Sequence, residues 1–587
     1  MVTTSPAISR EVRVDEAKPV NVVSTGSEKP LPEATSDSSE SLIEQKPHLH
    51  AKTYLAVGAV CLIYIAQLVC LVGAGAQGQT IAAHFHGTQN VVWFSAPITI
   101  LTVVLGPIVS QAADYWGRKW FLVVLSFFGA VGSIIVSRAT SMNMAIAGFS
   151  VIGISFGAQP LLHTVTSEVL PRRWRGWGQA ANMTSNGLGS ILGLLIGGAL
   201  NRTNDPTSDG FRYYFYMAMA FYLAAVLLTI AAYNPPETER QKQFAGRTMD
   251  KLKMLDWVGY LLLASGLVLF CVGLSWSQNP YPWSDAHVSA TFAVGLALAV
   301  CLIGYETFLK KDGMFHHGLF NGNRNFSISL FCVFAEGVGF FAANIYFAFQ
   351  VSVLYETDAV IVGTRYSIML ICSVIGALLA GLYCAIARRV RWITVAAFLI
   401  FVAFFACMAS SNRSTDKPVW GYPVLLGLAL GMTLTTLVTA AQLSTPPELL
   451  AIASGLIISV RSLGGTIGIT IYNALFVAEM NHLPDNVAKA AISAGLSPKA
   501  VEPFVTALAA HNQTALESIP GVTPNIIQSG TIALLDTYVG AFQHVWIAAS
   551  CFVALAAIVA VFLFDPKKEF NMKVDAPVEK EEDMYSD

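Results

Sequence analysis

Ser110-Gln-Ala-Ala-Asp114-Tyr-Trp-Gly117-Arg118-Lys119 separates two apolar runs, 91–112 and 120–138. Each run is close to the roughly 20 residues that cross ~30 Å of hydrocarbon as a helix. A small residue at Ser110 lets neighbouring helices approach closely. Asp114, at a helix end, can pair with an Arg or meet a helix N-terminus. Gly117 permits a tight turn. Arg118 and Lys119 mark the cytoplasmic side, where Lys and Arg are retained. Two antiparallel spans joined by a short basic loop are the unit from which the rest of the chain can be read.

The unit recurs. Apolar runs near 53–76, 91–112, 120–138, 144–166, 178–200, 213–233, 255–275, 287–309, 326–354, 361–386, 392–411, 421–443, 451–476 and 538–564 predict fourteen spans. Only helices satisfy every backbone polar group inside lipid in such open-ended segments. Composition agrees. Of 587 residues, 54% are hydrophobic and 12% charged, and mean hydropathy is +0.56. Soluble domains carry about 25% charged residues. The expected class is an all-α polytopic membrane protein whose largest partner is the lipid bilayer. A net charge of -2 gives no basis for a nucleic-acid partner.

Orientation follows from the loops. With residue 1 in the cytoplasm, Lys and Arg favour the inner loops by better than two to one. Three Asn-x-Ser/Thr sequons, Asn201, Asn412 and Asn512, then fall in outer loops as candidate glycosylation sites. Two more, at Asn182 and Asn325, fall in a span and an inner loop. An even span count leaves both termini cytoplasmic. The segment 1–50, rich in Ser, Glu, Pro and Thr, cannot bury enough apolar surface to fold and is expected to be a disordered tail. The expected organisation continues with a six-helix bundle over 51–235 and a linker with spans 7 and 8 over 236–312. A second six-helix bundle covers 313–565, with a long external loop at about 480–537. A disordered cytoplasmic tail, 566–587, ends the chain.

The 110–119 stretch resembles the major facilitator signature G-x-x-x-D-R-x-G-R-K, with Ser110 in place of Gly and Tyr115 in place of Arg. The resemblance implies that Ser110, Asp114, Gly117, Arg118 and Lys119 form a latch holding the outward-facing state. Ser167-Glu168-Val-Leu-Pro171-Arg172-Arg173-Trp-Arg175-Gly176 is similar to the family segment S-E-x-x-P-x-x-x-R-G, placing Glu168, Pro171, Arg175 and Gly176 in the loop between spans 4 and 5. Span 5 carries Gly189, Gly193, Gly197 and Gly198, similar to an antiporter motif but with Leu194 where Pro is expected. Phe149 stands near the position of the family's intramembrane Arg. Both departures weaken an antiporter assignment, and close packing is the other reading of the glycines. Degenerate echoes at Gly381–Arg389 and Pro447–Gly468 suggest two related halves, spans 1–6 and 9–14, with spans 7 and 8 as an added pair.

Gly153-Ile-Ser-Phe-Gly157-Ala-Gln-Pro-Leu-Leu-His163 through Pro171-Arg-Arg, with Asn234-Pro-Pro-Glu237 and Leu255-Asp256-Trp257-Val-Gly259, narrows the resemblance to the fungal trichothecene efflux pump and siderophore transporter group of fourteen-span transporters. This implies export of toxic or secondary-metabolite small molecules at the plasma membrane, with the vacuolar membrane as the alternative. Siderophore–iron uptake with protons is the second reading, and a transporter-like sensor the third. No GxxxxGK[ST] loop is present to bind ATP phosphates.

Charges inside apolar spans cost ~2.5–3.5 kcal/mol each on insertion scales, which makes them functional candidates. Glu336 and Arg461 each lie about ten residues into a span. They are the candidates for proton coupling, and a fixed structural ion pair is the alternative. Gln67, Gln159, Asn182, Asn186, Asn344 and Gln442 are polar groups able to orient an amphipathic small-molecule substrate in an apolar pocket; each could equally be an interhelical hydrogen bond. Arg365 reads as a surface partner of Glu356 or Asp358. The nine Cys all lie in apolar runs without CxxC spacing and read as buried thiols. The pairs His84/His86 and His316/His317 lack further ligands, so no metal is expected. No cofactor is expected, no catalytic cluster is found, and the expected state is a monomer that is not an enzyme.

Overall fold

The computed structural model describes residues 47–587 apart from 86–90, 201–208, 238–240, 243–245, 277–280, 311–312, 322–323, 510–512, 580–583 and 585–587. Asn201, Asn512, His86 and the tail up to residue 46 therefore lie outside the described residues. No strand occurs among the described residues.

Among the described residues, fourteen helices are long and apolar enough to span a membrane. They are α1 (Ala51–Ala76), α2 (Val92–Trp116), α3 (Arg118–Ser137), α4 (Met142–Ser155, continued through a tight turn by Gln159–Val169), α5 (Arg175–Leu200) and α6 (Gly210–Ala232). Then come α7 (Trp257–Trp276) and α8 (Ala286–Gly304), which closes in a π turn at Tyr305–Leu309. The last six are α9 (Asn325–Leu354), α10 (Ala359–Ala387), α11 (Arg391–Ala409), α12 (Tyr422–Leu443), α13 (Leu450–Met480) and α14 (Pro524–Ala560). The break in α4 falls at Phe156–Ala158, just ahead of Pro160, which has no N–H to carry the ladder through.

All fourteen expected spans are present, and the described residues are all-α. The two six-helix halves, α1–α6 and α9–α14, share one core that runs from Val60 and Leu161 to Phe401 and Trp546. The outer wall is apolar as well: Leu195, Leu227, Leu261 and Phe308 are 67%, 68%, 71% and 83% exposed, as lipid contact requires. The added pair α7–α8 packs beside α2, through Ala112, Tyr115, Leu255, Tyr260, Leu263 and Leu302. Tyr260 donates its hydroxyl to Gln111 Oε1 there. Tyr115, one of the two departures from the signature, is thus part of the seat for the extra pair.

Three expectations are corrected. The segment 480–537 is not a loop. It folds into helices Leu483–Ser493, Val501–Ala509 and Gln513–Glu517 and the start of α14, around Val487, Ala491, Phe504 and Ile526. α14 has 37 residues, about 55 Å at 1.5 Å per residue, so it outruns the hydrocarbon and carries this cap. The tail after α14 is not disordered over residues 566–579: Phe570 is 1% exposed, and Val574 and Ala576 are buried. Nor are all cysteines buried, because Cys301 and Cys551 face outward from the helix bundle. They sit on lipid-facing surfaces, where an apolar thiol needs no protein cover.

Candidate functional site

The loop between α2 and α3 turns at Gly117, whose φ of +90° suits a residue without a Cβ. That turn aims Arg118 back at α2 and across to α4. Its guanidinium bonds Asp114 at 3.1 Å and also bonds Glu168. All three side chains are almost wholly buried. Lys119 donates to the Ile230 carbonyl at 2.9 Å and to Asn234, tying the loop to the end of α6. Ser110 has its hydroxyl turned into its own helix, onto the Gly106 carbonyl at 2.7 Å. The close approach falls on α13 instead, where a Cβ on Gly455 would lie 2.6 Å from Ser110 Oγ. The glycine missing from the signature at 110 is supplied from the opposite half.

At this latch end the two halves are joined by a polar knot on Gln442 of α12. Its Oε1 accepts from Ser167 at 2.5 Å and from Gln179 at 3.1 Å. Its Nε2 donates to the His163 carbonyl at 3.1 Å and to Ser454 at 3.0 Å. Its backbone carbonyl accepts from Arg175 Nη1 at 2.8 Å. Gly176 faces Cys384 of α10, where an added Cβ would come within 2.9 Å of the Cys384 Cβ. Pro171 precedes Arg172–Trp174, a tight turn that leads into α5. The seam is closed at this end. Toward the other end, a Cβ on Gly198 of α5 or on Gly363 of α10 would meet no atom within 4 Å.

Midway along, Arg461 of α13 binds Glu336 of α9 with both ends of its guanidinium, at 2.6 and 2.9 Å. Glu336 is 0% exposed, while the Arg461 side chain keeps 22% exposure. The guanidinium also lies over the Phe340 ring, 4.7 Å from its centroid. Tyr64 of α1, in the other half, accepts at its hydroxyl from Asn186 of α5 at 3.3 Å. Each half thus contributes one polar pair, Glu336–Arg461 and Tyr64–Asn186. Sequence reading found three of the four; Tyr64, one aromatic among many in an apolar run, carried no signal.

The other candidates distribute as follows. Asn344 accepts from the Tyr366 hydroxyl at 2.5 Å on an exposed part of α9. Gln159 is half-buried at the restart of α4. Gln67 donates to the Ser155 carbonyl at 2.8 Å, and Asn182 donates to Thr166 at 2.9 Å, both wholly buried within the first half. Gln442 belongs to the seam. On α5, Gly189 and Gly193 pack against Ile65, Val72 and Tyr214. Gly197 has its carbonyl bonded by Gln77 at 3.1 Å. Phe149 fills an aromatic cluster with Phe94 and Phe215. Arg365 is corrected: it is 2% exposed, pairs with Asp416 at 2.7 Å and stacks on Trp420, rather than meeting Glu356 or Asp358. Asn412 is exposed at the end opposite the latch, with its Oδ1 held by Ser414. Asn182 and Asn325 are buried. Among the described residues no group of three or more metal-ligating side chains converges.

Residues 48–575 match the family described as fungal trichothecene efflux pump (TRI12). The chain belongs to that family. The transporter is 22% identical over 497 residues to the trichothecene efflux pump TRI12 of Fusarium sporotrichioides, covering 81% of this chain and 80% of that protein. It is 25% identical over 555 residues to the MFS-type efflux transporter ffsH of Aspergillus flavipes, covering 92% and 89%. Among solved structures it resembles the human organic anion transporter MFSD10, with TM-score 0.56, 13% identity and coverage of 86% and 99%. The proton:xylose symporter XylE bound to 6-bromo-6-deoxy-D-glucose gives 0.55, 12%, 90% and 98%. Those two likenesses show the fold alone. The transporter is a multi-pass membrane efflux protein of the major facilitator superfamily, and not an enzyme.

Proposed function

We propose that the transporter exports amphipathic secondary metabolites or toxins in exchange for protons, by rocking its two halves about the seam. The observation that carries this is the Glu336–Arg461 pair, a buried carboxylate and a guanidinium set midway along the bundle. Protonating Glu336 would cancel its charge and free Arg461 to turn toward the cavity. Proton binding is thereby linked to a change in what the seam presents to substrate. Phe340, Asn344, Tyr366 and Asn186 supply the mixture of apolar surface and sparse polar groups that an amphipathic ligand needs. The relatives named above as efflux pumps support the direction of transport.

In this reading the latch end, with both termini, faces the cytoplasm at the plasma membrane. Asn412 then faces outward as a glycan acceptor, and the protein works as a monomer. The test is flux into inside-out vesicles with an imposed proton gradient, using a trichothecene as probe. Accumulation that follows the gradient, and that loses the dependence in Glu336→Gln while exchange of preloaded probe persists, is the expected result. Gradient-driven flux in Glu336→Gln at the parent rate would remove Glu336 from coupling.

A further inference from the structure

The C-terminal tail crosses the seam at the latch end, and its meaning rests on the alternating-access reading above. It begins on the second half. Asp565 accepts bonds from the Val390 and Arg391 amides at the start of α11, at 2.8 and 3.0 Å. Phe570 closes an apolar cluster with Cys384, Val390, Ala440 and Leu443, at the latch ends of α10, α11 and α12. The chain then passes to the first half. The carbonyls of Asn571 and Lys573 accept from the Arg173 and Arg172 amides at 2.8 and 2.9 Å. Asp575, with 3% of its side chain exposed, takes Arg172 at 2.8 Å and also pairs with Arg175. The Ala576 amide donates to the Glu168 carbonyl at 3.0 Å. Finally Glu579 reaches the start of α1, bonding the His50 ring at 2.7 Å and the Thr53 hydroxyl at 3.1 Å.

One short segment is therefore anchored in both halves, over the place where they touch. Arg175 is central to it, since the same guanidinium bonds Asp575 in the tail and the Gln442 carbonyl across the seam. Opening the latch end must part Gly176 from Cys384 and α5 from α10. The tail cannot follow both halves at once. It must drop either the Phe570 seat or the Asp575 pairs. A buried carboxylate with two guanidinium partners is costly to leave unpaired.

We propose that residues 565–579 are a strap that holds the latch end shut, with Asp575 as the positioning residue that fastens it, and that inward opening requires its release. Nothing in the sequence of the tail announces this. The strap adds a second, detachable fastening across the seam to the Gln442 knot, one that a binding partner of the tail could control.

Cys384 is a native reporter, because it lies wholly buried under Phe570 and against Gly176. The experiment measures its alkylation by N-ethylmaleimide in the purified full-length protein, by peptide mass spectrometry. Cys70, wholly buried inside the first half and bonded to Ser133, reports general loosening. Asp575→Asn is expected to raise the Cys384 rate by about tenfold or more, as loss of a charged buried bond worth more than ~1.4 kcal/mol implies. Cys70 should stay protected, and Asp575→Glu should keep the slow rate. Unchanged Cys384 labelling in Asp575→Asn, or an equal gain at Cys70, overturns the strap. Gln442→Leu, which removes the side-chain knot across the seam, separates the two ideas. If it exposes Cys384 while Asp575→Asn does not, only the strap is wrong. If neither variant exposes Cys384, the rocking of the halves is what fails.

Discussion

Glu336 is wholly buried and has one cationic partner, Arg461, whose 22% exposure leaves it a path toward the cavity. Removing one member of a buried pair costs about 3–5 kcal/mol, since the survivor keeps its charge without compensation. Glu336→Ala should lower the thermal unfolding midpoint strongly. Arg461→Gln should do so too, because it leaves Glu336 buried and unpaired. The double variant Glu336→Gln/Arg461→Gln should cost less than the sum of its single changes. Unfolding followed by Trp fluorescence in detergent checks this, and additivity of the two changes would deny the pairing. Both residues are legible in the sequence because a charge in an apolar run is rare. Their pairing is not, since 125 positions separate them. Arg365 shows the opposite failure. Glu356 and Asp358 are near in sequence, but α10 turns the arginine to Asp416, on the connection between α11 and α12. Gln442 likewise reads as a polar group in an apolar helix, and only the folded chain brings it to five partners at the seam.

Helix α5 tests what its glycines are for. A Cβ on Gly189 would lie 2.8 Å from the Ile65 carbonyl oxygen of α1, and one on Gly193 would lie 2.9 Å from Tyr214 and 3.0 Å from Val72. One on Gly198 would meet nothing within 4 Å. Gly189→Ala and Gly193→Ala should each destabilise by about 1–3 kcal/mol through overpacking. Gly198→Ala should be neutral or slightly stabilising by cutting unfolded-state freedom. Equal loss at all three sites would point to a role in coupling rather than packing. The elements missed in the sequence are those with short or broken apolar patterns. The helices within 480–537 bury one side each, on Val487 and Ala491 or on Phe504, too little for a spanning signal. The tail shows no periodicity because its order comes from pairing with Arg172 and Arg175, far away in sequence. Its last fastening adds a pH dependence. Burial alone would raise the Glu579 carboxyl, but hydrogen bonds from His50 and Thr53 outweigh it and hold the group below the usual carboxylate range. A depressed acid stabilises docking above its unfolded pKa and loses that contribution as pH falls through the folded one. Protection of residues 574–579 against hydrogen exchange, taken relative to the unstructured rate at the same pH, should therefore be high near neutrality and fall below the ordinary carboxylate range. Glu579→Gln should show low protection at both pH values. Protection that is flat with pH would remove the bond.

Across the molecule, the Asp114–Arg118–Glu168 cluster, the Gln442 knot and residues 565–579 lie at one end of the seam, and the Glu336–Arg461 pair lies partway toward the other. The extra pair α7–α8 packs beside α2 and also touches α13 of the second half, so it borders both halves. The fourteen spans and the turn at Gly117 are legible in the amino-acid sequence, because lipid imposes length and apolarity on each helix independently. Which faces meet is not, because small residues on lipid-facing and seam-facing sides look alike in sequence. The decisive question is whether the seam must open for transport, and α2 against α13 offers a direct way to ask. Ser459 of α13 donates to the Val103 carbonyl at 3.2 Å, and a Cβ on Gly106 would lie 3.5 Å from Ser459 Oγ. Side chains so placed can be bridged by a disulfide with little backbone movement. Gly106→Cys with Ser459→Cys, oxidised in membranes, should fix the two halves together at this point and abolish export of the probe. Dithiothreitol should restore it, and each single Cys variant should export normally under the same oxidant. A fully crosslinked protein that still exports at the reduced protein's rate would mean that substrate passes without separation of α2 from α13. The rocking of two bundles would then be wrong for this chain.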